Sequence, residues 1–362
     1  MTVNPSKIQM RTLSYRPAVT APRPATMRAA VVRAHGDLDR ILIEDDYPVP
    51  ALRPGWVLIA VRACALNYHD IFTRQGMPGI KVPLPIIIGS DIAGEIVELG
   101  DGVAGWSPGG RVLVDPLPTE HTNGRMIGEM FDGGRAEFCL AHASQLVALP
   151  DEVEFATAAA IPLAYATARR MLVGRGGIAA GETVLILGAS GGVGTACVLL
   201  AKLAGATVIA CAGSADKAAR LRGLGADHVI DYRTHDMRAA VHELVGKPRV
   251  AGSGGVDVAV NYTGGGTWNE TIRCLKTGGR LLTCGATAGF DEQIDLRYVW
   301  TYELSLLGSD GWRRDDITAL LADASAGRMV PVIDHVVALD DVRAAEALME
   351  ARAVFGKIVI TP

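Results

Sequence analysis

The stretch between residues 183 and 213 constrains this chain more than any other part of its sequence. An apolar run, TVLILGA, leads into a glycine-rich turn, GASGGVG, and a helix-forming run follows at once. A second apolar run, TVIACAG, comes next. Strand, glycine turn, helix and strand in this order are typical of dinucleotide-binding units, where backbone N–H groups at a helix start approach a pyrophosphate. We predict that the phosphates contact Ser190, Gly191, Gly192 and Val193.

The end of the second apolar run distinguishes between the two nicotinamide dinucleotides. Sites that prefer NAD usually place an acidic residue here to hold the ribose hydroxyls, whereas this chain has Gly213 and Ser214. Lys217 follows within one helical turn, and Tyr232 ends the next apolar run. A lysine can pair with a 2′-phosphate, and the carboxylate that would repel it is absent from the end of this run. We therefore predict NADP(H), held by Ser214, Lys217 and Tyr232. The alternative for Lys217 is a solvated helix face.

The pattern of apolar segments changes along the chain. From 27 to about 150, short alternating or β-branched segments are separated by Gly and Pro, which predicts an all-β unit. From about 164 to 311, apolar strands alternate with helices, which predicts an α/β unit with a doubly wound parallel sheet. Its predicted helices are 192–204, 215–224, 236–245 and 267–276. Two further helices, 314–327 and 340–352, alternate with strands in the remainder.

Composition and charge exclude several classes of function. A net charge of −4 without a basic patch argues against nucleic acid as a partner. The apolar runs are shorter than the roughly 20 residues of a membrane span, so we expect no membrane partner. The six cysteines form no C-x-x-C pair, and no signal peptide is evident, so we expect a reduced, cytoplasmic protein. Residues 1–26 contain no acidic residue and are predicted to be a disordered tail; an organelle transit peptide is the alternative.

Six segments together resemble the medium-chain dehydrogenase/reductase superfamily, and in particular its quinone-oxidoreductase-like, zinc-independent branch. They are ALNYHD (65–70), PLPIIIGSDIAGEIVELGDGV (83–103), AAAIPLAYATARRML (158–172), LGASGGVG (187–194), LGADHVIDY (224–232) and FGKIVI (355–360). The resemblance implies a GroES-like catalytic β-domain formed by residues 27–163 and 312–362. It also implies a Rossmann domain over residues 164–311, with the active site in the cleft between the domains.

Zinc-dependent members of this superfamily bind a catalytic metal at positions that correspond to Asn67, Ser90 and Leu163. Zinc prefers thiolates and imidazoles, which these side chains do not supply. The region of the second, structural zinc, TEHTNGRMIGEMFDGG, contains no cysteine. We therefore expect no metal. An improvised site is the alternative, formed by Cys64, His69 and Asp91. Otherwise Asp91 is expected to anchor its surroundings by hydrogen bonds or to pair with a cation such as Lys357.

Without a metal, hydrogen-bond donors must polarise the substrate while the cofactor supplies the hydride. Asn67 is a candidate to bind the substrate carbonyl or the nicotinamide ribose, and a helix-capping role is the alternative. His69 is a candidate proton donor near neutral pH, and a place on the cleft wall or helix surface is the alternative. Tyr68 is expected to contact a cofactor phosphate or to close the cleft.

The resemblance implies further cofactor contacts, each with simple packing as the alternative. Thr167 is expected beside the nicotinamide, and Lys357 is expected to reach the cofactor or the cleft. The end of a predicted strand, GRLLTCGAT, is expected to line the nicotinamide pocket with Gly285, Ala286 and Thr287. Relatives commonly form homodimers through the segment that corresponds to ELSLLGSD.

These observations predict an NADP(H)-dependent, zinc-free oxidoreductase that transfers hydride to small molecules, either quinones or α,β-unsaturated carbonyls. Related enoyl reductases often carry a Tyr soon after the position of Gly76, and its absence from GMPG argues against an enoyl thioester as the substrate. Two alternatives stay open: an alcohol dehydrogenase or carbonyl reductase of the same superfamily, and an NADPH-binding protein with a structural or regulatory role.

Overall fold

A computed structural model describes residues 23–77, 79–117, 122 and 125–362. The predicted tail lies outside the described residues as far as residue 22. From there the chain is tied down, because Arg23 donates hydrogen bonds to the carbonyls of Val49 and Pro50, at 3.3 and 3.0 Å. The fold divides into two compact units, one formed by the residues up to Leu163 together with Ile317–Pro362, and the other by Ala164–Asp316.

The first unit consists mainly of short strands that are rich in β-branched residues. Its strands before Leu163 are β1 Thr26–Val32, β2 Ile41–Pro48, β3 Trp56–Ala65, β4 Ile86–Ile87, β5 Asp91–Leu99, β6 Arg111–Val114, β7 Phe138–His142 and β8 Leu146–Ala148. Three of them form a small sheet in the order β2-β1-β4. Because β1 begins at Thr26, paired with Pro48, the fold starts one residue before the predicted Met27.

The second unit contains one parallel sheet. Its strands are β9 Thr183–Ile186, β10 Thr207–Ala212, β11 His228–Asp231, β12 Val256–Val260, β13 Leu275–Thr283 and β14 Ser305–Gly308. They lie in the order β11-β10-β9-β12-β13-β14, and every neighbouring pair is parallel. This is the strand order of the doubly wound dinucleotide-binding fold, so the predicted fold class is confirmed.

Two later strands, β15 Ile333–Ala338 and β16 Lys357–Thr361, belong to the first unit. They complete a seven-stranded sheet in the order β15-β16-β3-β5-β6-β8, in which β7 also pairs with β3. Both β16 and β5 run antiparallel to β3, and Ala65 pairs with Val359 on one side and with Asp91 on the other. The residues just beyond the end of β3 therefore lie beside the starts of β5 and β16.

The helices cover the sheets and join them. They are α1 Tyr68–Gln75, α2 Phe155–Ala159, α3 Thr167–Arg169, α4 Gly192–Leu203, α5 Ala215–Gly223, α6 Met237–Val245, α7 Trp268–Ile272, α8 Leu296–Thr301, α9 Arg314–Ser325 and α10 Val342–Glu350. Two π-helical turns, Ile161–Ala166 and Arg170–Arg175, flank α3. The short 3-10 turns among the described residues are Leu38–Arg40, Ala143–Gln145 and Leu339–Asp341. Within the described residues, no helix combines the length and the apolar character needed to cross a bilayer.

The predicted helix over 267–276 is too long. The helix α7 ends at Ile272, and Leu275 already pairs with Val256 as the first residue of β13. Strand pairing at a buried position outweighs the local helix preference of this run. All six cysteines are free thiols, and five of them are buried.

Candidate functional site

The glycine-rich turn joins β9 to α4 at the carboxyl edge of the parallel sheet. Gly188 has a φ of +65°, and the N–H of Gly191 donates to its carbonyl at 3.1 Å. A Cβ atom on Gly194 would lie 2.3 Å from the Gly188 oxygen, so only glycine lets the helix begin this close to the strand. A Cβ on Gly191 would meet nothing nearer than 3.6 Å. The turn thus leaves open space beside the unpaired N–H groups of a helix start, which suits a pyrophosphate.

Tyr262 supports this turn, and sequence reasoning missed it. Its hydroxyl donates a 2.8 Å hydrogen bond to the carbonyl of Gly188. Burial raises the pKa of Tyr262 well above its ordinary value, so the phenol keeps its proton. The available signal was a Tyr between the end of a strand and three glycines, in NYTGGG, and this stretch matches no familiar motif.

The loop after β12 also holds the loop after β13. The N–H groups of Thr287 and Ala288 donate to the carbonyls of Tyr262 and Thr263, at 3.2 and 2.7 Å. The segment with Gly285, Ala286 and Thr287 therefore lies at the same carboxyl edge as the glycine turn. Thr167 belongs to the same unit and is buried in α3.

The structure brings the predicted 2′-phosphate residues together at the ends of β10 and β11. Ser214 is the N-cap of α5, and its hydroxyl accepts from the N–H of Lys217 at 3.3 Å. The half-exposed ring of Tyr232 lies directly over Gly213, where an added Cβ would be 2.4 Å from the phenolic oxygen. An acidic side chain at position 213 therefore cannot coexist with this placement of Tyr232.

In the first unit, the register around β3 assembles a buried polar cluster. Lys357 is only 3% exposed, and its ammonium donates to the Leu66 carbonyl at 2.8 Å, to Asp91 Oδ2 at 3.2 Å and to Asn67 Oδ1. The hypothesised pairing of Asp91 with Lys357 is thus confirmed. An ammonium has three protons, and in this structure all three are donated to protein oxygens. The expected contact of Lys357 with the cofactor stays a prediction.

Asp91 is fully buried, and burial raises its pKa against the opposing effects of the Lys357 charge and the Leu163 N–H. That N–H donates to Asp91 Oδ1 at 2.9 Å. Leu163 thus contributes a backbone group to this cluster at the position where zinc-dependent relatives have a metal ligand.

Two buried polar atoms at the same end of β3 and β5 have no hydrogen-bond partner within the described residues: Asn67 Nδ2 and Ser90 Oγ. The orientation of the Asn67 amide follows from its neighbour, because the Lys357 ammonium can only donate and must face the carbonyl oxygen. Asn67 is also the N-cap residue of α1, as one of its two predicted roles required. Buried polar atoms are usually satisfied, so these two are candidates to bind a ligand.

His69, in the first turn of α1, contacts Glu129. The distance from His69 Nε2 to Glu129 Oε2 is 2.6 Å. Burial lowers the pKa of His69, but the hydrogen bond to Glu129 and the charges of Asp70, Glu129 and Asp91 outweigh it, so the pKa is raised overall. The preceding residue, Tyr68, packs edge-on against Phe72.

The improvised metal set of Cys64, His69 and Asp91 is not assembled. The Asp91 oxygens face Lys357 and Leu163, and His69 Nε2 faces Glu129. In the part of the chain that the structure describes, no group of three or more His, Cys, Asp and Glu side chains is placed to hold a metal ion.

A buried ionic network fixes α1 in place. Arg135 Nη2 donates to Asp70 at 2.9 Å and Nη1 donates to Glu346, which also accepts from Arg74 Nε at 2.8 Å. Arg74 additionally reaches Glu350. The network joins α1 to α10 and to the segment before β7, so it holds the helix that carries His69.

Comparisons with known proteins agree with this architecture. Residues 53–151 match the family model for the alcohol dehydrogenase GroES-like domain, and residues 192–326 match the one described as zinc-binding dehydrogenase. Neither match includes Leu163, and only the first includes Asn67 and Ser90.

Relatives and solved structures cover nearly the whole chain. The crotonyl-CoA reductase of Streptomyces avermitilis is 30% identical over 91% of this chain and 83% of its own length. Human quinone oxidoreductase is 28% identical over 92% and 97%. A structure described as an NAD-dependent alcohol dehydrogenase has a TM-score of 0.85 and 34% identity, covering 93% of this chain and all of that one. A 2-octenoyl-CoA carboxylase reductase in complex with NADP and 2-octenoyl-CoA has a TM-score of 0.82 and 28% identity, with coverages of 94% and 88%.

A relative of this identity and coverage, together with both domain matches, establishes the family. The chain belongs to the medium-chain dehydrogenase/reductase superfamily and is an NAD(P)-dependent oxidoreductase.

Proposed function

We propose that the protein is an NADP(H)-dependent, zinc-free oxidoreductase that transfers hydride to quinones or α,β-unsaturated carbonyl compounds. The observation that carries this proposal is the buried cluster at the end of β3, where Asn67 Nδ2 and Ser90 Oγ have no partner in the described structure. Both atoms can donate a hydrogen bond to a substrate carbonyl. Donors aimed at an oxygen that becomes negative on hydride addition stabilise the transition state without a metal.

The charges around these donors support a role without zinc. Lys357 provides a fixed positive charge within the cluster, and Asp91 balances it. The side chains that zinc would need at the corresponding positions are an amide, a hydroxyl and an isobutyl group, from Asn67, Ser90 and Leu163. The polarisation of the substrate is therefore assigned to hydrogen bonds.

The cofactor assignment rests on the second unit. The open space at Gly191 and the helix start suit a pyrophosphate, and Ser214, Lys217 and Tyr232 suit a 2′-phosphate. When bound, the nicotinamide supplies the hydride. The absence of an acidic side chain at Gly213 and Ser214, at the end of β10, supports NADP(H) over NAD(H).

A substrate panel tests the reaction class. NADPH oxidation is followed with a benzoquinone, cyclohexenone and crotonyl-CoA, the last because a relative is named crotonyl-CoA reductase. We expect turnover with at least one of these compounds by protein that has been treated with a chelator. A structure similar to this one is described as an alcohol dehydrogenase, so a primary and a secondary alcohol with NADP⁺ and NAD⁺ form the second panel. Turnover of alcohols alone, lost with about one bound zinc per chain on chelation, would contradict the proposal.

Lys217→Ala tests the cofactor assignment. We expect the KM for NADPH to rise about 10-fold or more, because a charge-assisted hydrogen bond contributes roughly 1.5–3 kcal/mol. The KM for NADH should not change. Arg222→Ala removes an exposed charge from the same helix and serves as the control. An NADPH KM equal to that of the unaltered protein would show that Lys217 does not hold the 2′-phosphate.

We also propose that the protein is a homodimer in which β14 pairs with β14 of a second copy. This strand ends the sheet of the second unit, and the described residues place no strand beyond it. Exposed apolar side chains lie on it and on the segment before it: Phe290, Leu296, Trp300 and Leu306. Light scattering should give the mass of a dimer, and Leu306→Lys should shift the mass towards a monomer. A monomeric unaltered protein would contradict this pairing.

A further inference from the structure

We propose that Glu129 positions His69 so that Nδ1 of His69 delivers the proton to the α-carbon of the substrate. This inference rests on the proposed reduction of an activated C=C bond. It adds a residue that no sequence motif identifies and assigns the transfer to one atom of the imidazole ring.

The contact between His69 and Glu129 determines which nitrogen is available. The carboxylate lies 2.6 Å from Nε2, so Nε2 must carry a hydrogen that it donates. Within the described residues, Nδ1 has no hydrogen-bond partner, and the imidazole side chain is 25% exposed. A carboxylate that holds one ring nitrogen as N–H leaves the other nitrogen to exchange a proton.

Three carboxylates lie near His69, and of these only Glu129 has His69 as its ion-pair partner. Asp70 pairs with Arg135, and Asp91 pairs with Lys357. Glu129 is largely buried, and His69 is its one ion-pair partner among the residues described here. The negative charges of Asp70 and Asp91 are therefore largely compensated by their own cations, whereas that of Glu129 is compensated by protonation of His69.

Hydride from the cofactor and a proton from His69 together complete the reduction of the C=C bond. Hydride adds to the β-carbon, the electron pair of the C=C bond moves towards the carbonyl, and an enolate results. The Nδ1–H bond of the imidazolium then breaks as a C–H bond forms at the α-carbon. His69 is left neutral with its hydrogen on Nε2, still held by Glu129, and it regains a proton from water. No other oxidant or reductant is needed.

The first test is independent of turnover. ¹⁵N-histidine NMR of the full-length protein, with and without NADP⁺, reports the tautomer and the pKa of His69, and His69→Gln identifies the signal. We expect the Nε2–H tautomer and a raised pKa in the unaltered protein. Glu129→Gln should lower this pKa, because it removes the charge and keeps the shape. Glu95→Gln, which removes a partly buried carboxylate paired with Arg62, should not change it. An unchanged titration in Glu129→Gln would overturn the inference.

The second test is the pH dependence of enone reduction. An acid catalyst must be protonated, so kcat falls as pH rises through the pKa of His69. In Glu129→Gln this fall should move to lower pH, and kcat near pH 8 should drop roughly 10- to 100-fold with a smaller loss near pH 6. A profile identical to that of the unaltered protein would overturn the role in proton delivery. If the unaltered protein reduces no enone or quinone at any pH, the proposed function fails, and the NMR result still decides whether Glu129 sets the state of His69.

Discussion

Lys357→Met will lower the free energy of unfolding by about 3–5 kcal/mol, the usual cost of removing one partner from a buried ion pair. Methionine matches the length of lysine, so the loss comes from charge and not from volume. It leaves Asp91 Oδ2, Asn67 Oδ1 and the Leu66 carbonyl without their shared donor. Urea denaturation of the variant and of the unaltered protein measures the difference.

The size of this loss will depend on pH in a defined direction. Without the ammonium, the pKa of Asp91 rises further, so the folded variant holds a proton that the unfolded chain releases above about pH 4. The stability of the variant therefore falls as pH rises from about pH 4 to the raised pKa of Asp91. The loss of unfolding free energy relative to the unaltered protein should be larger near pH 8 than near pH 5. Adding Asp91→Asn should remove most of the pH dependence.

Lys276→Met is the matched control. Lys276 also pairs with an aspartate, Asp257, but nearly half of its side chain is exposed. An exposed pair contributes at most about 1 kcal/mol, so this variant should be almost as stable as the unaltered protein. Equal losses in Lys276→Met and Lys357→Met would show that burial does not govern the Lys357 pair.

Gly194→Ala will separate α4 from β9 and abolish tight dinucleotide binding. The new Cβ would lie 2.3 Å from the Gly188 oxygen and 2.6 Å from two Ala189 backbone atoms, none of which can rotate away. Small-to-large changes in packed regions typically destabilise by about 1–3 kcal/mol, and a clash with backbone belongs at the upper end. Thermal denaturation and NADPH titration should therefore both show a large loss.

Gly191→Ala should behave differently although it lies three residues away. Its Cβ has no protein atom closer than 3.6 Å, so the fold should keep its stability. The methyl group would occupy the space assigned to the pyrophosphate, so NADPH affinity should fall while the melting temperature stays the same. Gly223→Ala, in open space on α5, is the control for both. Unchanged NADPH binding in Gly191→Ala would place the phosphates elsewhere.

The features that sequence predicted are those encoded over short distances along the chain. Strand, glycine turn and helix follow one another within 31 residues, 183–213, and strand–helix alternation imposes a parallel sheet whatever the surroundings. The helix α4 accordingly begins and ends within one residue of its prediction. The failure at α7 arose where a partner strand decided the conformation of Leu275.

The features that sequence missed depend on residues far apart in the chain. Glu129 lies 60 residues from His69, and Arg135 lies 211 residues from Glu346. Periodicity reports which face of a helix is buried, but it does not report which charge meets which. The pairing of Asp91 with Lys357 is the exception. It could be predicted because both residues lie in segments that resemble a known family.

The position of β16 has a consequence for how the protein is made. Lys357 contacts Leu66 and Asn67 across 291 and 290 residues of chain, whereas the second unit is complete at Asp316. Domains generally fold as units while a chain emerges from the ribosome. The nucleotide-binding unit can therefore form during translation, while Asp91 stays without its cation until residue 357 has been synthesised. A nascent chain that stalls before this point lacks the ammonium that joins Asn67 and Asp91 in the buried cluster.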